Sequence, residues 1–152
     1  MRPTRLLAKV QWGEWRTPRW LFDRLNSEFA FTYDLAASRE NALCPLFFTQ
    51  AEDAMCQTWA GSCYCNPPYG NKVGDWMQKA YTSALDGATV VMLVPAYTDV
   101  KWFHAWVLGK CAIRFIQGRL KFDDEDATAP FASMLCVYGK SFPPSVSGVR
   151  GR

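Results

Sequence analysis

The spacing of hydrophobic and polar positions changes several times along the chain, and each change predicts an element. Leu21, Phe22, Leu25 and Phe29 recur on one helical face, while Asp23, Arg24, Asn26 and Ser27 take the other. Thr17 is the expected N-cap of this helix. Pro18 is its expected first residue, since the donor that proline lacks is not needed there. Residues 31–36 alternate with a period of two and read as a strand ending at Asp34 to Ala36. Leu46 to Thr49 and Gly61 to Cys65 are further short strands. The latter runs directly into Asn66-Pro67-Pro68-Tyr69-Gly70. Val73, Trp76, Met77, Ala80, Tyr81, Ala84 and Leu85 then hold helical spacing until Asp86-Gly87 stops it. Ala88 to Val94 is a continuous apolar run, as in a central strand buried on both faces, and Pro95 ends it. Asp99 to Leu108 predicts a helix with Trp102, Phe103 and Trp106 inward. Cys111 to Ile116 and Phe131 to Tyr138 predict two more strands.

Strands alternating with helices imply an α/β domain with a mostly parallel sheet. The last two strands have no helix between them, so they are expected to pair as an antiparallel C-terminal hairpin at the sheet edge. Residues 1–140 read as a single compact domain that opens with a basic arm over 1–13. Residues 141–152 are rich in Pro, Ser, Gly and Arg and read as a disordered tail. The run Asp123 to Asp126 reads as a solvated acidic loop. The chain shows no internal repeat.

Composition narrows the class. With 152 residues and 49% apolar positions, the chain has material for one core. The formal net charge of +3 permits a polyanionic partner without demanding one. Arg2, Arg5, Lys9, Arg16 and Arg19 crowd the start, consistent with phosphate contact or with ordinary solubilising charge. None of the six cysteines forms a CxxC pair, and there is one histidine, His104, so a metal site is not expected. His104 reads as a packing residue. No stretch approaches the roughly 20 apolar residues that span a bilayer. The expectation is a reduced, intracellular chain with no membrane partner.

The candidate chemistry lies at Asn66-Pro67-Pro68-Tyr69. In open α/β sheets, ligands bind beyond the carboxyl ends of strands, where this segment falls. The exocyclic amine of adenine is a poor nucleophile because its lone pair is shared with the ring. The Asn66 side-chain oxygen and the Pro67 carbonyl are candidate acceptors for its two hydrogens. Consecutive prolines restrict the backbone and hold those carbonyls in fixed directions, which is electrostatic preorganisation. Tyr69 offers a face on which an extruded base can stack. The same four residues also make an ordinary strand-ending turn.

Several separated blocks together carry a resemblance. They are Trp15-Arg16-Thr17-Pro18, Asp34-Leu35-Ala36-Ala37-Ser38 with Asn41, Asp53, Trp59, Asn66 to Gly70, Leu93-Val94-Pro95-Ala96, Trp102-Phe103-His104, Arg114-Phe115 and Gly118 to Phe122. From about Trp15 to Tyr138 the chain resembles the small phage-type, Dam-like DNA N6-adenine methyltransferases. The resemblance implies a Rossmann-like methyltransferase fold, S-adenosylmethionine as methyl donor and DNA as partner. It implies Asn66, Pro67, Pro68 and Tyr69 as the catalytic segment. It places Asp34 and Ala36 at the amino-acid part of the donor and Asp53 at the donor's adenine, with Thr17 and Pro18 nearby. The glycine-rich turn usual after the first strand is replaced by Ala36-Ala37-Ser38. Glu40 and Glu52 are the acids available for the donor ribose. Arg119, beside a turn on the expected active face, is a candidate for nucleic-acid contact or a solvated arginine. Two other readings stay open: transfer to an RNA adenine or a protein glutamine, and a nucleic-acid-binding module without turnover.

Overall fold

The computed structural model describes residues 15–122 and 128–151. The expected basic arm over 1–13 and the acidic run 123–126 lie outside the described residues.

Helix α1 (Arg19–Phe29) buries Leu21, Phe22, Leu25 and Phe29, as its periodicity predicts. Its start differs from expectation by one position. Pro18 is the N-cap, and its carbonyl accepts from Leu21 N and Phe22 N, both at 3.1 Å. Thr17 does not cap the helix, because its hydroxyl is bonded to the Tyr64 hydroxyl at 2.6 Å. Strand β1 (Tyr33–Asp34) is shorter than predicted. Pairing still continues irregularly beyond it, with Leu35 N donating to Tyr64 O and Ala37 N to Phe48 O. Strand β2 (Leu46–Phe47) and a 3-10 turn (Ala54–Cys56) precede β3 (Ser62–Cys65). Helix α2 (Val73–Leu85), β4 (Thr89–Pro95), α3 (Lys101–Trp106), β5 (Ala112–Ile116), β6 (Ser133–Tyr138) and β7 (Ser145–Val149) are the remaining elements of the described residues.

The seven strands of the described residues form one sheet in the order β2-β1-β3-β4-β6-β5-β7. β1, β2, β3 and β4 run parallel, and β6 is antiparallel to both β4 and β5. The predicted hairpin of β5 and β6 is present, but it is not the edge. β7 pairs parallel to β5 from Ala112↔Ser145 to Ile116↔Val149. Residues 145–149 are therefore a strand, against the expectation of a disordered tail over 141–152. Their composition lacks a hydrophobic pattern strong enough to announce a strand, and most of their side chains are exposed. What orders them is backbone pairing to the open edge of β5.

Alternation on the central strands divides the core in two. Val91 and Leu93 of β4 face α1, together with Tyr64, Leu135 and Val137. Val90, Met92 and Val94 face α2 and α3, together with Cys63, Cys65 and Cys136. Helices on both faces explain why the β4 run is apolar at every position. Five of the six cysteines are buried and all six are unpaired thiols, consistent with a hydrophobic packing role. No helix among the described residues is long and apolar enough to cross a membrane.

Candidate active site

β1 lies between β2 and β3, so the chain order reverses at β1 and a crevice opens beyond the carboxyl ends of β1 and β3. Asp34 and Tyr64 are register partners at this point. The segment leading into α1 closes the crevice from above. The result is a cavity of about 240 Å³, lined by Trp15, Thr17, Asp34, Ala36, Tyr64 and Asn66 among others. Four of the predicted site residues, Thr17, Asp34, Ala36 and Asn66, thus meet in one place.

Asn66 is held by its amide nitrogen. Nδ2 donates to the Trp15 carbonyl and, at 3.3 Å, to Thr17 Oγ1. Its Oδ1 is buried and has no hydrogen-bond partner among the described residues. A buried carbonyl oxygen left without a donor carries a desolvation cost of about 1–3 kcal/mol. A ligand N–H would relieve that cost. Tyr64, whose hydroxyl meets Thr17, is fully enclosed, and burial pushes its phenol well above the ordinary range.

Asp34 is 3% exposed. Its Oδ2 accepts from Leu43 N at 3.1 Å and its Oδ1 from Ala36 N at 3.4 Å. Burial raises its pKa to about 6, while the two backbone donors pull in the opposite direction. A carboxylate that is costly to ionise in isolation is stabilised by a cation brought into the cavity.

Pro67 is buried and Pro68 half-buried. Tyr69 is a wall of the α1-side core. Its hydroxyl donates to Leu93 O at 3.2 Å, and its ring meets Phe131 edge-on at 5.6 Å between centroids. Phe131 also packs on Trp15 at 5.6 Å and on the exposed Tyr97 at 6.3 Å. Sequence reasoning did not single out Phe131, Tyr97 or Tyr64. Phe131 and Tyr97 lie far apart in the chain and carry no motif. Tyr64 does immediately precede Cys65-Asn66 in the strand, which is the one available signal.

Asp53 is placed elsewhere. It lines a separate groove of about 1,200 Å³ with Trp59, Pro68, Lys72, Trp76 and Lys79. It is exposed, has φ of 52°, and caps the 3-10 turn by accepting from Met55 N at 3.0 Å. Of the two candidate ribose acids, Glu40 lines the Asn66 cavity and Glu52 bonds Thr49 N at 3.1 Å. His104 Nε2 is bonded to Thr98 O at 2.7 Å. Arg119 is exposed on the turn after β5, in a third cavity.

A family model described as DNA N-6-adenine-methyltransferase (Dam) matches residues 6–137. The chain belongs to this family. Its sheet is accordingly that of a Rossmann-like methyltransferase. Among Dam-family relatives, a protein of Haemophilus phage HP1 named DNA N-6-adenine-methyltransferase is 31% identical over 105 residues, covering 67% of this chain and 61% of that one. A protein of the same name from Escherichia phage T1 is 29% identical over 92 residues, covering 59% of this chain and 38% of that one. This chain therefore matches less than two thirds of either relative's length.

Proposed function

We propose that this Dam-family chain transfers a methyl group from S-adenosylmethionine to the N6 amine of adenine in DNA. The observation that carries this reading is the buried, partnerless Oδ1 of Asn66 at the carboxyl end of β3. The amide can face only one way, because Nδ2 is engaged by the Trp15 carbonyl and Thr17. Oδ1 is thereby presented as an acceptor before any substrate arrives, and no reorganisation is needed during reaction.

The cavity's lining, with Asp34 and Glu40 beside Arg16 and Arg19, fits the zwitterionic amino-acid part of the donor. Asp34 supplies a buried carboxylate in the same cavity, with Ala36 and Thr17 beside it. In this reading Asp34 holds the donor's ammonium group. The cavity's 240 Å³ lies below the roughly 300 Å³ at which small-molecule pockets begin, so it takes part of the donor only. When bound, S-adenosylmethionine supplies an electrophilic methyl group. Asn66 Oδ1 accepts one hydrogen of the adenine amine, and the Pro67 carbonyl accepts the other. These bonds draw electron density back to the nitrogen and align its lone pair. In this reading the extruded base comes to rest at Tyr69, the end of the segment that carries Asn66 and Pro67.

Incubating the chain with isotopically labelled S-adenosylmethionine and duplex DNA, then digesting to nucleosides, tests this directly. Label is expected in N6-methyladenine. An Asn66→Ala variant is expected to lose about 10²–10³ in turnover, the range for removing one preorganised polar contact. Label found only in protein, or full activity in the variant, would sink the reading.

A further inference from the structure

The face beside the Asn66 cavity has a composition that catalysis at Asn66 does not require. Arg19, Arg24, Arg119, Lys121 and Arg150 are all exposed there. They come from α1, from the turn after β5 and from the end of β7. Within α1, residues 117–122 and residues 145–151 the carboxylates are Asp23 and Glu28, and each is already paired; the acidic run Asp123 to Asp126, which follows Phe122 in sequence, lies outside the described residues. Asp23 meets Arg19 at 3.2 Å and Glu28 meets Arg114 at 2.8 Å. Among the described residues, Arg24, Arg119, Lys121 and Arg150 have no carboxylate partner.

The chain is built to bring these cations together. Gln117 N donates to Val149 O at 2.8 Å, and Arg24 donates to the Arg150 carbonyl at 2.9 Å. A Cβ on Gly151 would sit 2.5 Å from the Gln117 carbonyl oxygen, so only glycine permits this approach. The end of β7 is thus clamped between α1 and the β5–β6 turn, and the turn itself uses Gly118 at φ of 76°. Between them lies a cavity of about 400 Å³ lined by Trp20, Arg119, Lys121 and Phe122. The Arg24 guanidinium stands 5.0 Å from the Trp20 ring.

This face is continuous with the candidate active site. Phe122, a wall of the 400 Å³ cavity, packs against Trp15, a wall of the Asn66 cavity, at 5.0 Å between centroids. Arg19 lines the Asn66 cavity and Trp20, its neighbour in sequence, lines the other.

We propose that α1, residues 117–122 after β5 and the end of β7 form a phosphate-binding surface that holds the DNA backbone flanking the target base. This inference rests on the reading of the chain as a DNA methyltransferase. It gives β7 a task beyond closing the sheet, since that strand delivers Arg150 to the surface. Cations without carboxylate partners, beside the Asn66 cavity, suit a contact that positions the duplex without reading sequence.

The test is a fluorescence-anisotropy titration of the full chain with a labelled duplex across a series of salt concentrations, without donor. Each phosphate contact contributes about 0.9 to the slope of log affinity against log salt. An Arg119→Ala, Arg150→Ala double variant is expected to lose nearly two from that slope and to bind at least about tenfold more weakly at low salt. Lys121→Glu is expected to weaken binding further. Lys140→Ala, at the opposite end of the sheet, is expected to match wild type. Melting temperatures of all variants should agree, since the clamp uses the backbone of residues 149–151 and not the Arg150 side chain. Wild-type slope and affinity in the double variant would overturn the surface while leaving the methyltransferase reading intact. Absence of duplex binding by the wild-type chain would overturn both.

Discussion

Asn66 donates its side-chain amide to Thr17 Oγ1 at 3.3 Å, across 49 positions of sequence. The same hydroxyl lies 2.6 Å from the enclosed Tyr64 hydroxyl. One threonine therefore orients the candidate catalytic amide and satisfies a buried phenol.

Replacing Thr17 by valine keeps the shape and removes both bonds. The Tyr64 hydroxyl is then left buried without a partner, which costs about 1–3 kcal/mol. Turnover should fall more than donor affinity, because the amide of Asn66 loses one of its two acceptors. Thr17→Ser, which keeps the hydroxyl, should restore most of both. Chemical denaturation and steady-state kinetics on the pair check this. A valine variant with unchanged stability and kcat would remove Thr17 from the account.

Asp34 gives the protein a defined pH dependence. Its folded pKa is about 6 against an ordinary 3.8, so the native state binds the proton more tightly than the unfolded chain. The stability due to the neutral carboxyl is full below about pH 4. It is lost as pH rises through 6, by an amount of up to about 3 kcal/mol. Urea midpoints measured from pH 4 to pH 8 should show this decline in wild type and not in Asp34→Asn.

Donor binding should follow the opposite course. A cationic group entering the cavity favours the Asp34 carboxylate, so affinity for S-adenosylmethionine should rise with pH and level off above about 6. Below that point the dissociation constant should grow about tenfold per pH unit. Calorimetry at several pH values measures this directly. A flat profile in wild type would show that Asp34 does not meet the donor's charge.

Asp53 stands in the larger groove, away from the Asn66 cavity, with its carboxylate committed to the turn it caps. Asp53→Ala should cost about 1 kcal/mol of stability through the lost cap. Asp53→Asn should cost less, since asparagine caps well and tolerates positive φ. Donor affinity should stay within about twofold of wild type in both, because their changed contacts are local. A tenfold loss of affinity in Asp53→Asn would instead bring the groove into the donor site.

Ending the chain at Pro144 should expose the edge of β5. The Gln117 amide, bonded to Val149 O, should then exchange with solvent deuterium far faster, and the truncated protein should aggregate more readily. Unchanged protection at Gln117 would mean that β7 contributes nothing to that edge.

Much of this molecule is legible from local pattern. The 3.6-residue spacing of α1 and α2 and the unbroken apolar run of β4 locate those elements, because burial on one face or on both leaves a period in the chain. Asn66 to Tyr69 stands out as a candidate in sequence because it directly follows a strand, and the structure places it there, after β3. Where signals were weaker, the reading failed in specific places. Thr17 resembles a helix cap in sequence, yet its hydroxyl is claimed by Tyr64, 47 positions away. β7 has the composition of a tail, yet an open strand edge gives its backbone a partner.

Other features depend on packing alone. Asp34 and Asp53 both look like donor ligands in sequence, and the fold sends them to different cavities. Asn66 owes its free Oδ1 to a backbone carbonyl at Trp15, a group with no side-chain identity to read. Hydrogen bonds that join residues about fifty positions apart leave no periodic trace. They exist only once the sheet has brought the start of α1 over the ends of β1 and β3.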